Sequence, residues 1–106
     1  MNILVIRFTS MGDVICVTSL FEYLRRKFPD SKVFFLTDAK YAELFKDDPR
    51  IFQVIGQEKN KVSQAVLQLI NVQWDNVVDL QNNRRSIRVR KKLLQGRAFR
   101  GTIGAV

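Results

Sequence analysis

Two short runs of this sequence bring together residue types that chemistry needs. The first is Thr9-Ser10-Met11-Gly12-Asp13, directly after the apolar run Asn2–Phe8. An aspartate closing a glycine turn is a candidate general base, the backbone amides around Met11 and Gly12 are a candidate anion site, and Ser10 is a candidate substrate contact beside them. A structural reading stands beside it. Ser10-x-x-Asp13 has the spacing of a capping box, which puts a hydroxyl and an acid near the positive end of a helix, with Gly12 merely allowing the turn. The two readings are compatible, since a capping acid can still face a cleft. The second run is Asp79-Leu80-Gln81-Asn82-Asn83-Arg84-Arg85-Ser86, followed two residues later by Arg88. Gln81 and Asn82 suit hydrogen bonding to a hydroxylated ligand, and Arg84, Arg85 and Arg88 suit phosphates. The competing reading is a tight Asn82-Asn83 loop with Asp79 capping locally.

The elements that must position these runs follow from hydrophobic pattern. Asn2–Phe8 is apolar and β-branched, as in a strand buried on both faces. Apolar residues at 14, 17, 20, 21, 24 and 28 form a helical stripe, with Arg25, Arg26 and Lys27 suited to its last turn and Pro29 to its end. Lys32–Thr37 reads as a second strand. Lys40–Lys46 reads as a short helix with Tyr41, Leu44 and Phe45 facing in, and Asp48-Pro49 as a turn. Ile51–Ile55 is expected as a third strand, 61–72 as a helix, and Trp74–Leu80 as a fourth strand. Arg84–Leu94 is expected as a helix stopped by Gly96, and Phe99–Ile103 as a fifth strand. Alternating strands and helices predict an α/β fold, a parallel sheet sandwiched by helices, with right-handed crossovers. The carboxyl ends of the first and fourth strands are expected on one edge, where open α/β sheets bind ligands. The sequence ends after a strand-like segment, which is expected of a truncation or of one half of a two-domain protein.

Composition narrows the chemistry. The 106 residues contain no histidine, which excludes Ser-His and Cys-His catalysis and histidine-ligated zinc within this chain. The single cysteine, Cys16, has no disulfide partner here, fits a reducing compartment, and is expected to pack in a helix. Neither a P-loop nor a G-x-G-x-x-G fingerprint is present, which argues against a dinucleotide-binding domain. No apolar run reaches the length of a membrane span, and Met1 leads straight into the first strand without a signal-like segment. The net charge of +8 lies in one place: residues 84–100 hold Arg84, Arg85, Arg88, Arg90, Lys91, Lys92, Arg97 and Arg100 and no acid. Elsewhere ten basic residues balance ten acidic ones. Such a segment is a solvated helix face or a contact for an anionic partner, including an anionic lipid surface. Nucleic acid is disfavoured because interleaved stacking aromatics are missing.

The two runs together resemble a known family. The pattern I-L-V-I-R-x-x-S-x-G-D-V, about 65 residues before hydrophobic-D-L-Q-x-N-x-R-S, is similar to that of bacterial lipopolysaccharide core heptosyltransferases, which are family 9 glycosyltransferases. Ile3–Arg7, Ser10, Gly12, Asp13 and Val14 carry it, with Val78–Gln81, Asn83, Arg85 and Ser86; Phe28-Pro29-Asp30 and Asp48–Ile51 also fit. One departure is Asn82, where glycine is common in the family. Asparagine tolerates the left-handed conformation, so the turn can survive.

The resemblance implies a Rossmann-like parallel sheet sandwiched by helices, the N-terminal, acceptor-binding half of a GT-B enzyme across residues 1–106, with the C-terminal donor-binding domain outside this chain. It implies inverting transfer of heptose from ADP-heptose, as substrate, to the lipid A–Kdo inner core at the cytosolic face of the bacterial inner membrane. Asp13 would be the general base. No metal and no cofactor are implied, and the isolated half is expected to be inactive. The alternative is a standalone flavodoxin-like module binding a phosphorylated or acidic partner.

Overall fold

The computed structural model describes residues 1–8, 17–58, 61–95 and 99–105. Among these residues five strands alternate with four helices: β1 (Asn2–Ile6), α1 (Thr18–Lys27), β2 (Lys32–Asp38), α2 (Ala39–Ala42), β3 (Gln53–Gln57), α3 (Val62–Leu69), β4 (Trp74–Asp79), α4 (Arg84–Gln95) and β5 (Phe99–Ala105). The strands form one sheet in the order β3-β2-β1-β4-β5, with every neighbouring pair parallel. This is the order of the first five strands of the Rossmann arrangement. The flavodoxin order expected of the alternative module would place β2 at the edge. Here the chain steps outward from β1 to β2 to β3, then α3 carries it back across to the far side of β1. The reversal puts a topological switch point between β1 and β4, whose carboxyl ends pair as Ile6 with Asp79.

Alternation along the buried strands divides the core into two layers. Leu4, Ile6, Phe34, Leu36, Ile55, Trp74 and Val77 face one way and pack with Leu69 of α3 and Val89 and Leu93 of α4. Ile3, Val5, Val33 and Phe35 face the other way, against Val17, Phe21 and Leu24 at α1 and Tyr41, Phe45 and Ile51 beyond β2. Burying both faces of β1 and β2 explains their unbroken apolar character. Gly56 on β3 allows α2 to sit close: a Cβ there would lie 3.1 Å from Ala39 Cα and from Ala42 Cβ.

Several boundaries differ from expectation for local reasons. The short helix ends at Ala42 rather than Lys46. Its continuation tightens into turns in which Leu44 N–H donates to Tyr41 O and Phe45 N–H to Ala42 O. The tightening swings Leu44 out to 58% exposure, so of the three side chains expected inside only Tyr41 and Phe45 are buried. β3 starts at Gln53, because the Asp48 turn extends through Ile51, whose N–H donates to Asp48 O. α3 ends at Leu69, whose carbonyl is taken by the Trp74 indole N–H at 3.1 Å.

Candidate functional site

At the switch point the chain leaves β4 through a turn built on one carboxylate. Asp79 is fully buried, and its Oδ1 accepts the backbone N–H groups of Gln81 at 3.0 Å and Asn82 at 2.8 Å. Its Oδ2 lies 3.0 Å from Arg90 Nε, a charge contact off the hydrogen-bond axis. Asn82 has φ of 48°, the one non-glycine positive φ among the described residues. Asn82 therefore occupies the left-handed conformation it was expected to tolerate. Its Oδ1 also accepts from Arg90 Nη2 at 3.3 Å.

The next helix is capped reciprocally. Asn83 Oδ1 accepts the Ser86 N–H at 3.1 Å, while Ser86 Oγ accepts the Asn83 N–H at 2.9 Å. A hydroxyl three residues into a helix thus returns the capping bond, in the manner of a capping box. Both the turn reading of Asn82-Asn83 and the local capping by Asp79 hold here.

The end of β1 is fastened to this turn. Arg7 Nη1 donates to Leu80 O at 2.6 Å, and Phe8 N–H donates to the side-chain Oε1 of Gln81 at 3.0 Å. The Gln81 oxygen therefore holds the residue immediately before Thr9-Ser10-Met11-Gly12-Asp13. Those positions, including Ser10, Met11, Gly12 and Asp13, lie outside the described residues, as do Cys16 and Arg97.

Arg85 completes the edge. Its guanidinium lies 4.0 Å over the Phe8 ring. Nε donates to Gln57 Oε1 at 2.7 Å, Nη2 to Gln57 O at 2.6 Å, and Nη1 to Asp38 Oδ2 at 2.9 Å. One side chain at the start of α4 thereby ties together the carboxyl ends of β1, β2 and β3. Burial alone would raise the Asp38 carboxyl. The Lys40 amide and the charge and hydrogen bond of Arg85 outweigh it and hold Asp38 below its ordinary value of 3.8.

The residues singled out from sequence thus separate into two groups. Gln81, Asn82 and Arg85 gather at the switch point, with contacts to the protein itself. Arg84 and Arg88 are exposed on the outer side of α4. Asp38, Gln57 and Phe8 belong to the edge but were not singled out. Only Asp38 had a local signal, an acid preceding a helix start, where its Oδ1 accepts the Lys40 N–H at 3.1 Å. A surface cavity of about 560 Å³ lies elsewhere, lined by Glu22, Arg25, Glu43, Leu44 and Asp47–Arg50. Among the described residues no cluster of three or more acidic or cysteine side chains is placed to hold a metal.

Solved structures share this architecture. A glycosyl transferase family 9 structure from Veillonella parvula matches 87% of the chain at 26% identity, with a TM-score of 0.79. This chain has the fold of family 9 glycosyltransferases. The E. coli heptosyltransferase WaaC with ADP-2-deoxy-2-fluoro heptose matches 100% of the chain at 18% identity and a TM-score of 0.80. E. coli ADP-heptose lps heptosyltransferase II matches 87% at 24% identity and a TM-score of 0.72. The chain spans about a third of these structures, covering 29%, 36% and 28% of their lengths. No family model and no curated protein sequence matches it.

Proposed function

We propose that this chain is the acceptor-binding half of a family 9 glycosyltransferase that moves heptose from ADP-heptose to the Kdo-bearing lipid A core. The observation that carries the reading is a shared fold with a topological switch point at the end of β1, which leads in sequence to Thr9–Asp13, and at the end of β4, where the second run begins. The glycosyltransferase with ADP-2-deoxy-2-fluoro heptose among its structural neighbours supports a nucleotide-sugar donor. The donor would be held by a second domain outside this chain.

In the proposed reaction the acceptor hydroxyl oxygen attacks the anomeric carbon, the bond from that carbon to the diphosphate oxygen breaks, and ADP leaves. One displacement inverts the centre. Asp13 takes the hydroxyl proton. An ordinary aspartate has a pKa of about 4 and is a weak base at neutral pH, so its effect comes from position and from proton transfer concerted with attack. The amides of Ser10, Met11 and Gly12 would orient an anionic group, and Asn82 would contact the acceptor. Arg84 and Arg88, exposed beside the edge, are free to meet its phosphates and acidic sugars. Gln81 and Arg85 serve the site mainly by holding Phe8, and with it the start of the Asp13 segment.

The test is transfer by the complete two-domain enzyme carrying these residues, wild type against Asp13→Asn, with ADP-heptose and a Kdo-bearing acceptor. The expected loss in kcat is about 100-fold or more, the usual worth of a general base, with donor KM little changed. Equal activity would leave Asp13 as a helix cap and refute its role as base.

A further inference from the structure

Asn82 is held more closely than its share in the fold explains. Its backbone N–H donates to Asp79 Oδ1 at 2.8 Å, and its side-chain Oδ1 accepts from Arg90 Nη2 at 3.3 Å. The same Arg90 sets its Nε 3.0 Å from Asp79 Oδ2. One fully buried carboxylate at the end of β4 thus holds Asn82 twice, directly at the backbone and through Arg90 at the side chain. Stability gives little reason for that side chain. Asn82 is exposed, its φ is 48°, and glycine takes such a conformation at lower cost. A sparsely populated backbone conformation, kept by its surroundings, points to function.

Arg90 also decides which way the amide faces. A guanidinium only donates hydrogen bonds, so it meets the amide through Oδ1, and Nδ2 turns away from it. Nδ2 has no hydrogen-bond partner among the described residues. What the turn offers at the switch point is therefore an oriented N–H2 group, a donor of two hydrogens. The charge around it has one sign. No acidic residue follows Asp79 in the chain. The carboxylates at the ends of β2 and β4, Asp38 and Asp79, are each opposed by an arginine. Arg84, two residues on, and Arg88, one turn further, are exposed.

We infer that Asn82 Nδ2, held outward by Arg90, selects an anionic oxygen of the acceptor, of a carboxylate or a phosphate, over a hydroxyl. A hydroxyl both donates and accepts, so it can meet an amide in either orientation. An anionic oxygen only accepts, and it needs Nδ2. Fixing the amide therefore matters for an anion and is idle for a hydroxyl. Arg90 is a positioning residue: it acts on the acceptor only through Asn82. The inference rests on the acceptor-half reading for the identity of the ligand. Binding is measured without any transfer, so the two can fail separately. Anion binding as expected, without heptose transfer by the complete enzyme, would count against the acceptor-half reading alone.

The test is an NMR titration of the isotope-labelled 106-residue chain with Kdo, with inorganic phosphate, and with methyl mannoside as a neutral sugar. The Asn82 side-chain amide signals are expected to shift with an anion and to stay in place with the neutral sugar. The tighter anion identifies the group as a carboxylate or a phosphate. Asn82→Asp keeps a residue type that accepts the left-handed turn, keeps the Arg90 contact, and turns the outward nitrogen into an oxygen. Followed through the backbone amides of Gln81 and Asn83, it should bind the anion more than about tenfold more weakly, one charge-assisted hydrogen bond being lost and a repulsion added. Asn82→Gly removes only the donor and should cost about tenfold. Arg90→Lys keeps a cation beside Asp79 but lets the amide turn over, so about half the molecules present Oδ1 and affinity should fall about twofold. In the Asn82→Gly background the same change should do nothing. Retention of the Trp74 fluorescence of the folded state confirms that each variant folds. An equal response to methyl mannoside, no response to either anion, wild-type affinity in Asn82→Asp, or an equal loss from Arg90→Lys in both backgrounds would each overturn the inference.

Discussion

Removing the Arg85 guanidinium should destabilise this domain more than any other single change at an exposed or half-exposed position. Arg85 and Asp38 are largely shielded, with side chains 16% and 9% exposed. Arg85→Met keeps an unbranched chain over Phe8 but removes three hydrogen bonds and the cation–ring contact. Taking one partner from a buried ion pair costs about 3–5 kcal/mol, mainly through the charge left behind. Here Asp38 keeps the Lys40 amide and some access to solvent, which moves the expectation to the lower end, about 3 kcal/mol. Arg85→Lys should recover only part of this, because a single ammonium cannot reach Asp38 Oδ2 and both Gln57 oxygens in the fork geometry.

Urea unfolding followed by fluorescence is the natural assay, since Trp74 is the single tryptophan and is fully buried against Phe34. With an m-value of about 1.5 kcal/mol/M, the midpoint should fall by about 2 M in Arg85→Met. Asp38→Asn and the double variant complete a cycle whose coupling should be about 1–2 kcal/mol. A midpoint shift under about 0.3 M, or additive single effects, would refute the claim that Arg85 fastens three strand ends together.

At Asn82, Ala and Gly remove the same bond to Arg90, so their difference isolates the backbone. Asn82→Gly should unfold within about 0.5 kcal/mol of wild type and Asn82→Ala about 1 kcal/mol lower, and equal midpoints would disprove a left-handed Asn82. Acid should weaken the fold through Asp38 and Asp48. The Arg50 hydrogen bond leads in lowering Asp48, outweighing its burial, whereas for Asp38 burial is the largest single influence and the Lys40 amide and Arg85 together outweigh it. A carboxyl depressed on folding stabilises above its unfolded pKa, about 3.9, and that stability disappears as pH falls through the folded value. The urea midpoint should therefore hold above about pH 5 and fall below about pH 4. The fall should be shallower in the Asp38→Asn, Asp48→Asn double variant, and an identical slope would exclude these two groups as the cause.

The fold was legible because its main cause is periodic. Both faces of β1 and β2 are buried, so Ile3–Ile6 and Val33–Leu36 had to be continuous apolar runs. The stripe through Val17, Phe21 and Leu24 needed only helical spacing. What escaped was the result of competition at element ends. Leu69 O is claimed by an indole that no local rule places there, and the residues after Ala42 take tighter turns that expel Leu44. Strand order was also out of reach, because crossover handedness permits both the Rossmann and flavodoxin arrangements. The reversal after β3 selects one of them.

The site divides along the same line, between local and distant partners. The turn and cap bonds among Asp79, Asn82, Asn83 and Ser86 span only three residues, and these residue types already describe a turn and a cap. Arg85 was read as a phosphate ligand from its neighbours in sequence, whereas its partners are 28 and 47 residues away. Nothing in an arginine's own surroundings distinguishes one that binds ligand from one that braces strands. The distinction comes from which side of the helix it occupies, and the buried Ser86, Val89 and Leu93 set that side. Arg85 and Arg90 flank this stripe and turn to the carboxylates at the ends of β2 and β4, while Arg84, Arg88, Lys91 and Lys92 lie opposite it. A basic run that is uniform in sequence is thus split by helical geometry into braces for the carboxyl edge and an unpaired outer face.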